Sequence, residues 1–213
     1  MVSARTVNIF AAFFALISFV FLLLVNLGTN VIQSIFIMKV EINNVTAVFG
    51  LYGSCVDSKF ANFQINSFAG LFTCTKGGLI SDFGTAGSKF LEAMHPIALI
   101  LSFALVIIGL IAVFNSENGC LQNIFSIISI IGSIVILLAI IGDIIVFNDT
   151  NSQFQQFQQN VNVIIHPDTA GKTSFGPGFG LAIASLVFMM ITICFACKSR
   201  TLTVKVKQKG CFC

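Results

Sequence analysis

The chain has 213 residues, of which 56% are apolar and only 9% are charged, with a formal net charge of +3. A water-soluble domain carries about 25% charged residues, so this chain lacks the polar surface that a soluble fold needs. The composition therefore indicates an integral membrane protein. It does not indicate a nucleic-acid surface, because the excess of positive charge comes from the C-terminal tail.

Four apolar segments are long enough to cross a bilayer. A transmembrane helix needs roughly 17–25 residues, because it rises about 1.5 Å per residue through ~30 Å of hydrocarbon. The predicted helices are residues 9–25, 97–114, 124–147 and 179–197. The first is too long for the apolar part of a signal peptide and no A-x-A site follows it, so we expect it to persist as a helix. The predicted fold class is an all-α four-helix transmembrane bundle.

The distribution of cations predicts the orientation. The two ends, 1–8 and 198–213, hold cations and no acids: Arg5, Lys198, Arg200, Lys205, Lys207 and Lys209. Loops 26–96 and 148–178 mix lysines with acids, and a short turn lies at 115–123. The positive-inside rule therefore places both ends and the short turn in the cytosol, with the two longer loops outside. We expect the basic tail to contact the anionic inner leaflet.

The first outer loop, 26–96, is long enough for a small folded domain. Its stretches SIFIMKV and VTAVFGLYG are rich in the β-branched and aromatic residues of strands. Its many phenylalanines fit a compact core or contact with the membrane surface better than a ligand pocket. A glycine-rich stretch then leads to Pro96, which suits the first turn of the second transmembrane helix. We expect a small, partly β extracellular domain.

The second outer loop, 148–178, contains NSQFQQFQQNVNVII, which fits either a solvated strand or an extension of the third helix. Gly176, Gly180 and Ala184 follow at intervals of four. Small residues at this spacing let membrane helices approach closely, so they predict a packing face on the fourth helix.

Cys55 and Cys74 lie in the loop predicted to be outside, where cysteines are oxidised. A disulfide between them would close a loop of about 20 residues and stabilise the domain by ~3 kcal/mol. A metal site would need more ligands, and His95 is the only histidine in this loop. We therefore expect a disulfide.

The segment around Cys55 carries a motif, Gly50, Leu51, Tyr52 and Gly53, with the two cysteines after it. Four spans, a long first outer loop and this motif resemble the claudin superfamily, whose signature is Gly-Leu-Trp followed by two cysteines. Tyr52 replaces the tryptophan, and the cysteines are farther apart than in animal claudins. Both departures resemble fungal branches of the superfamily. The glycine bracket and short tail favour the mating-induced Fig/Dni-type branch over the SUR/PalI-type branch.

The resemblance implies a plasma-membrane protein. Resemblance to the Fig/Dni-type branch implies a role in cell–cell contact, cell-wall remodelling and membrane fusion during conjugation. Some members of this branch also influence calcium entry. SUR/PalI-type proteins imply ambient-pH sensing or the scaffolding of cortical membrane domains. The partners we expect are membrane lipids and other membrane proteins, including a second copy of the chain.

Two further residues, both predicted to lie toward the outer side of the membrane, are candidates for glycosylation and for ion binding or pairing. Asn44 begins an N-x-T sequon and is the predicted glycosylation site, whereas the sequon at Asn148 lies too close to the third helix. Asp143 lies near the outer end of that helix. It is either an ion-binding or paired group, with His95 or a lysine as partner, or an interfacial carboxylate that reaches water.

The cysteines at the cytosolic side are candidates for lipidation: Cys194, Cys197, Cys211 and Cys213. The alternative is free thiols. The CFAC spacing resembles a redox motif but lies at a membrane boundary rather than in a βαβ unit. Zinc-ligand spacing, a glycine-rich phosphate loop and a G-x-S-x-G motif are all missing from the sequence. We expect no catalytic residue, metal or cofactor.

Overall fold

The computed structural model describes residues 3–32, 34–42, 45–57, 72–76, 86–161 and 172–210. Within those residues the chain forms long helices and short strands. The helices are α1 (Ala4–Val31), α2 (Ala86–Phe114), α3 (Gly119–Val161) and α4 (Pro177–Gly210). The strands are β1 (Met38–Ile42), β2 (Val45–Phe49), β3 (Gly53–Asp57), β4 (Phe72–Lys76) and β5 (Lys172–Phe175).

Each of the four helices contains a segment long and apolar enough to cross a membrane. These segments are Ala4–Gly28, Ala93–Phe114, Gly119–Ser152 and Pro177–Leu202. The prediction of a four-span membrane protein is confirmed by length and composition.

Every helix extends beyond its predicted bounds, and two of these extensions decide questions that the sequence raised. α2 begins at Ala86, so Pro96 lies inside the helix rather than in its first turn. A proline there removes one backbone hydrogen bond, a loss that membrane helices tolerate when neighbouring groups satisfy the freed carbonyl. α3 continues to Val161, so the glutamine-rich segment extends the third helix and does not form a strand.

The described chain divides into two compact units. The bundle unit comprises Met1–Leu23, Met94–Ala139 and Ala182–Cys213, and the sheet unit comprises Leu24–Ala93 and Ile140–Leu181. In the bundle unit each helix contacts the next around a closed ring. α1 meets α2 at Gly109, where an added Cβ would lie 3.1 Å from the Cβ of Ala12. An added Cβ at Gly132 of α3 would lie 3.5 Å from Leu105 on α2 and 3.7 Å from Met189 on α4.

Stacked phenylalanines and a serine pair close the ring between α1 and α4. Phe14 stacks on Phe195 and Phe188, with ring centroids 5.7 and 5.9 Å apart. Ser18 and Ser185, both fully buried, share a hydrogen bond of 2.8 Å between their hydroxyl oxygens. Small polar side chains of this kind join membrane helices where lipid offers no hydrophobic drive.

The sheet unit contains a five-stranded sheet in the order β4-β3-β2-β1-β5, in which all neighbours are antiparallel. The expectation of a partly β domain in the first loop is therefore confirmed for the sheet. The fifth strand comes from the second loop and pairs with β1, where Met38 faces Phe175. Alternation buries Met38 and Val40 on one face of β1 and leaves Glu41 exposed on the other.

The packing face predicted from Gly176, Gly180 and Ala184 is wrong at both glycines. Gly176 precedes α4, and its amide donates to the carbonyl oxygen of Ile37 at 2.7 Å, which continues the β5–β1 pairing. A Cβ at Gly180 would meet no described atom within 4 Å. Gly176 therefore lies at the end of a strand, and Gly180 lies at an open position on α4. Of the two positions, only Gly176 requires glycine.

Candidate functional site in the sheet unit

The glycine-bracketed motif forms the link between β2 and β3. Phe49 pairs with Ser54, so the intervening residues make a short connection in which Gly50 and Leu51 are buried. Leu51 is only 1% exposed, and the half-buried Tyr52 precedes β3. The motif therefore anchors the connection through a buried leucine and positions the strand that carries Cys55.

The two cysteines of the first loop lie directly opposite each other. β3 and β4 are antiparallel and Cys55 is the register partner of Cys74. Opposed residues in antiparallel strands have Cα atoms about 4.5–5.5 Å apart, within the 4.4–6.8 Å that a disulfide spans. Cys55 is fully buried. The fold thus brings together the pair that the sequence singled out.

The face of the sheet that carries Cys55 also carries charges of both signs. The Lys39 ammonium forms an ion pair with the Glu41 carboxylate two positions along β1, with side chains 32% and 48% exposed. Lys172 on β5 lies opposite Glu41 in the register. Exposed ion pairs contribute only about 0–1 kcal/mol to stability, so this pair adds little to the stability of the sheet.

β5 is fixed to the two helices that flank it. The Phe175 ring stacks between those of Phe147 and Phe179, with centroid separations of 3.9 and 4.1 Å. The Thr173 hydroxyl donates to Oδ1 of Asn151 on α3 at 2.7 Å. β5 was not predicted from the sequence, because its four residues of mixed polarity carry no periodic signal.

Asp143 is only 2% exposed, so the interpretation as an interfacial carboxylate that reaches water is wrong. It has an interaction partner within the protein, and so does the fully buried His95. Among the described residues no group of three His, Cys, Asp or Glu side chains could hold a metal.

The two sequons differ in setting. Asn44 lies outside the described residues, between β1 and β2. Asn148 lies within α3, and its sequon residue Thr150 is only 4% exposed. A buried hydroxyl in a helix gives a second physical reason to discount this sequon.

The cysteines near the basic tail are accessible where the structure describes them. Cys194 and Cys197 are exposed free thiols, and so is Cys120, which sequence reasoning did not select. The sulfur of Cys197 lies 3.4 Å from the Ser126 hydroxyl of α3. Lys198 and Arg200 are exposed, and Lys205, Lys207 and Lys209 lie on the helical backbone of α4. Cys211 and Cys213 lie outside the described residues.

Comparison with known proteins assigns the family. No curated protein matches the chain. The model of the SUR7/PalI family matches residues 5–175, from the start of α1 to the end of β5. The match thus includes the motif, both opposed cysteines and all five strands, and the Fig/Dni-type branch is not confirmed. The chain belongs to the SUR7/PalI family, within the claudin-like tetraspan group.

Proposed function

We propose that the protein organises cortical domains of the plasma membrane and performs no catalysis. The family match over residues 5–175 carries this proposal. The mixed-charge face of β1 and β5 supports it, because exposed charges of both signs suit selective contact with other proteins. A subunit that senses ambient pH is the alternative within the same family.

Conjugation remains a second candidate, because the glycine bracket of Gly50 and Gly53 favours the mating-induced branch. In that role the protein would assist cell-wall remodelling and membrane fusion. A third role, as an auxiliary subunit that modulates calcium influx, would require Asp143 or carboxylates of the first outer loop to face a permeation route. Unchanged calcium entry in Asp143→Asn cells would contradict a direct role for Asp143.

One imaging experiment separates these functions. A fluorescent fusion of a cortical scaffold should form static patches during vegetative growth, with fluorescence that recovers slowly after bleaching. A pH-sensing subunit should instead be required for the transcriptional response to an alkaline shift. A fusion protein should appear only after mating signals and concentrate at the contact site. Diffuse, mobile fluorescence together with a normal alkaline response would contradict both SUR7/PalI-type roles.

The proposed orientation places both termini in the cytosol and the five-stranded sheet outside. The cations at the two ends support it, because the positive-inside rule counts Lys and Arg near span ends. We further propose that Cys55 and Cys74 form a disulfide there, which their opposed register supports.

Glycosylation at Asn44 tests the orientation. We expect the full-length protein to lose mobility-shifting glycan when Asn44 is replaced by glutamine, because N-linked transfer occurs only on the luminal, later extracellular, side. The measurement is gel mobility with and without glycosidase. Asn148→Gln is the matched control and should change nothing, since its sequon is helical and Thr150 is buried. A glycan on Asn148 alone would contradict the choice of acceptor.

At the proposed cytosolic end, we propose that α4 binds the anionic inner leaflet through its five cations. We also propose that the cysteines near these cations are acylated. Each cation contributes about 1 kcal/mol near such a surface. Exposure of Cys194 and Cys197 supports the second part. Acyl exchange should detect thioesters on the wild-type protein and a reduced signal when all four candidate cysteines are replaced by serine. An equal signal in the two proteins would contradict it.

A further inference from the structure

Two buried amide side chains of the bundle unit carry polar atoms that have no hydrogen-bond partner among the described residues. Asn8 on α1 and Gln122 on α3 are both fully buried. Asn8 donates through Nδ2 to the carbonyl oxygen of Ala112 on α2 at 2.8 Å. Its Oδ1 atom, and both Oε1 and Nε2 of Gln122, find no partner among the described residues. A buried polar group left unpaired is costly, so these three atoms call for a polar ligand.

The two amides lie beside one contact of three helices. A Cβ added at Gly109 of α2 would lie 3.1 Å from the Cβ of Ala12 on α1 and 3.4 Å from the ring of Phe125 on α3. Asn8 precedes Ala12 by about one turn, and Gln122 precedes Phe125 by about one turn.

The helix directions bring these two positions to the same level. The Asn8–Ala112 bond and the Ala12–Gly109 contact show that α1 and α2 are antiparallel. α2 and α3 are also antiparallel. Gly109 of α2 lies beside Phe125 of α3, whereas Leu105, earlier on α2, lies beside Gly132, later on α3. Asn8 and Gln122 therefore both lie one turn from the Gly109 contact toward the same end of the bundle.

The unpaired atoms of Asn8 and Gln122 favour water as the ligand at this level of the bundle. It offers two carbonyl acceptors and one amide donor, all neutral, whereas a cation site would need several oxygens and no competing N–H group. Ala112, fully buried on α2, contributes only a methyl group at this level, and its carbonyl oxygen already accepts from Asn8. We propose that ordered water lies between Asn8, Ala112 and Gln122, bridges the two amides and couples α1 to α3.

The wild-type protein gives the first test without any substitution. Full-length protein labelled with ¹⁵N-glutamine in nanodiscs should show exchange cross-peaks between the Gln122 side-chain amide protons and water, assigned by their loss in Gln122→Met. A Gln122 amide without cross-peaks to water overturns the proposal.

A double-mutant cycle gives the second test. Methionine matches glutamine in size, so Gln122→Met should lower the melting temperature by about 3 °C if the amide is satisfied through water. This loss should shrink in the Asn8→Ala background, because the bridge is already broken. Ser129→Ala is the control: its hydroxyl donates within its own helix to Phe125 at 2.7 Å, so its effect should add to that of Asn8→Ala.

The opposite outcomes are equally definite. A rise in melting temperature for Gln122→Met shows that the amide is simply unsatisfied, because an apolar replacement then removes a penalty. Equal losses in both backgrounds show that the two amides do not interact. Coupling without the water cross-peak shows a direct amide pair. Each of these three results overturns the water site.

Discussion

Alanine at Gly176 is expected to disrupt the pairing of β5 with β1 and to destabilise the sheet unit by about 3 kcal/mol, the upper range for overpacking. The added Cβ would overlap both the ring and the carbonyl oxygen of Phe36, well inside van der Waals contact. The ring could rotate away at modest cost. The carbonyl oxygen cannot, because the backbone at Phe36 accepts a hydrogen bond from the Gly178 amide at 2.8 Å.

Neighbouring glycines supply a graded control series. A Cβ at Gly178 would lie 2.8 Å from the carbonyl oxygen of Phe36, a less severe overlap, so Gly178→Ala should cost less than Gly176→Ala. A Cβ at Gly180 would meet no described atom within 4 Å. Alanine is favoured over glycine in a helix interior by about 0.5–1 kcal/mol, so Gly180→Ala should be neutral or slightly stabilising.

Hydrogen exchange of the full-length protein in nanodiscs measures this series. We expect protection of the β1 and β5 amides to fall in the order of the overlaps, with α3 amides near Gly132 unchanged. A melting curve that matches wild type for Gly176→Ala, or an equal loss for Gly176→Ala and Gly180→Ala, would show that close approach to Phe36 does not hold β5 in place.

The transmembrane helices could be predicted from sequence because their signal is local. A bilayer requires about 20 consecutive apolar residues, and the chain displays four such runs. The residues at which these helices begin and end were harder to predict from the sequence. Helix formation continues at Ala86–Met94 and Thr150–Val161, beyond the apolar stretches, so hydropathy alone does not predict where these helices begin or end. Pro96 illustrates the error, since a residue typical of a first turn lies inside a helix.

The sheet was partly predictable for a similar reason. β1 and β2 are rich in β-branched residues and were predicted as strands, whereas in β3 and β4 only the two cysteines were singled out. β5 was not predictable, because its position depends on pairing with β1, far away in sequence, and on the stack of Phe175 with Phe147 and Phe179. Long-range pairing leaves little trace in a short segment.

The buried amides were beyond sequence reasoning as well. Asn8 precedes the first predicted helix and Gln122 falls in the predicted cytosolic turn, so both were assigned to exposed segments. Only the helix extensions to Ala4 and Gly119 bring them into the bundle. A polar residue just outside an apolar run gives no indication of whether it faces water or a neighbouring helix.

Loss of the proposed Cys55–Cys74 disulfide is the second large effect that we expect. Replacing both cysteines by alanine should lower the free energy of unfolding of the sheet unit by ~3 kcal/mol, because the bond restricts the unfolded loop between β3 and β4. The native strands need no rearrangement for the bond, since the two residues are register partners. Hydrogen exchange at β2 and β3 measures the loss, and alkylation with mass spectrometry measures the thiols directly.

Losing either cysteine or both should give the same loss of protection if a disulfide is broken. Packing defects at the two positions would instead give losses that add. Cys55→Ala, Cys74→Ala, the double variant and chemical reduction of the wild type all break the same bond, so each should reduce protection by a similar amount. Reduction of the double variant should then change nothing further. Cys120→Ala, which removes an exposed free thiol, should match wild type under both conditions. If the single losses add in the double variant, or if both thiols are alkylated in unreduced protein from membranes, the opposed cysteines stabilise the sheet only by packing, and no covalent bond closes the loop.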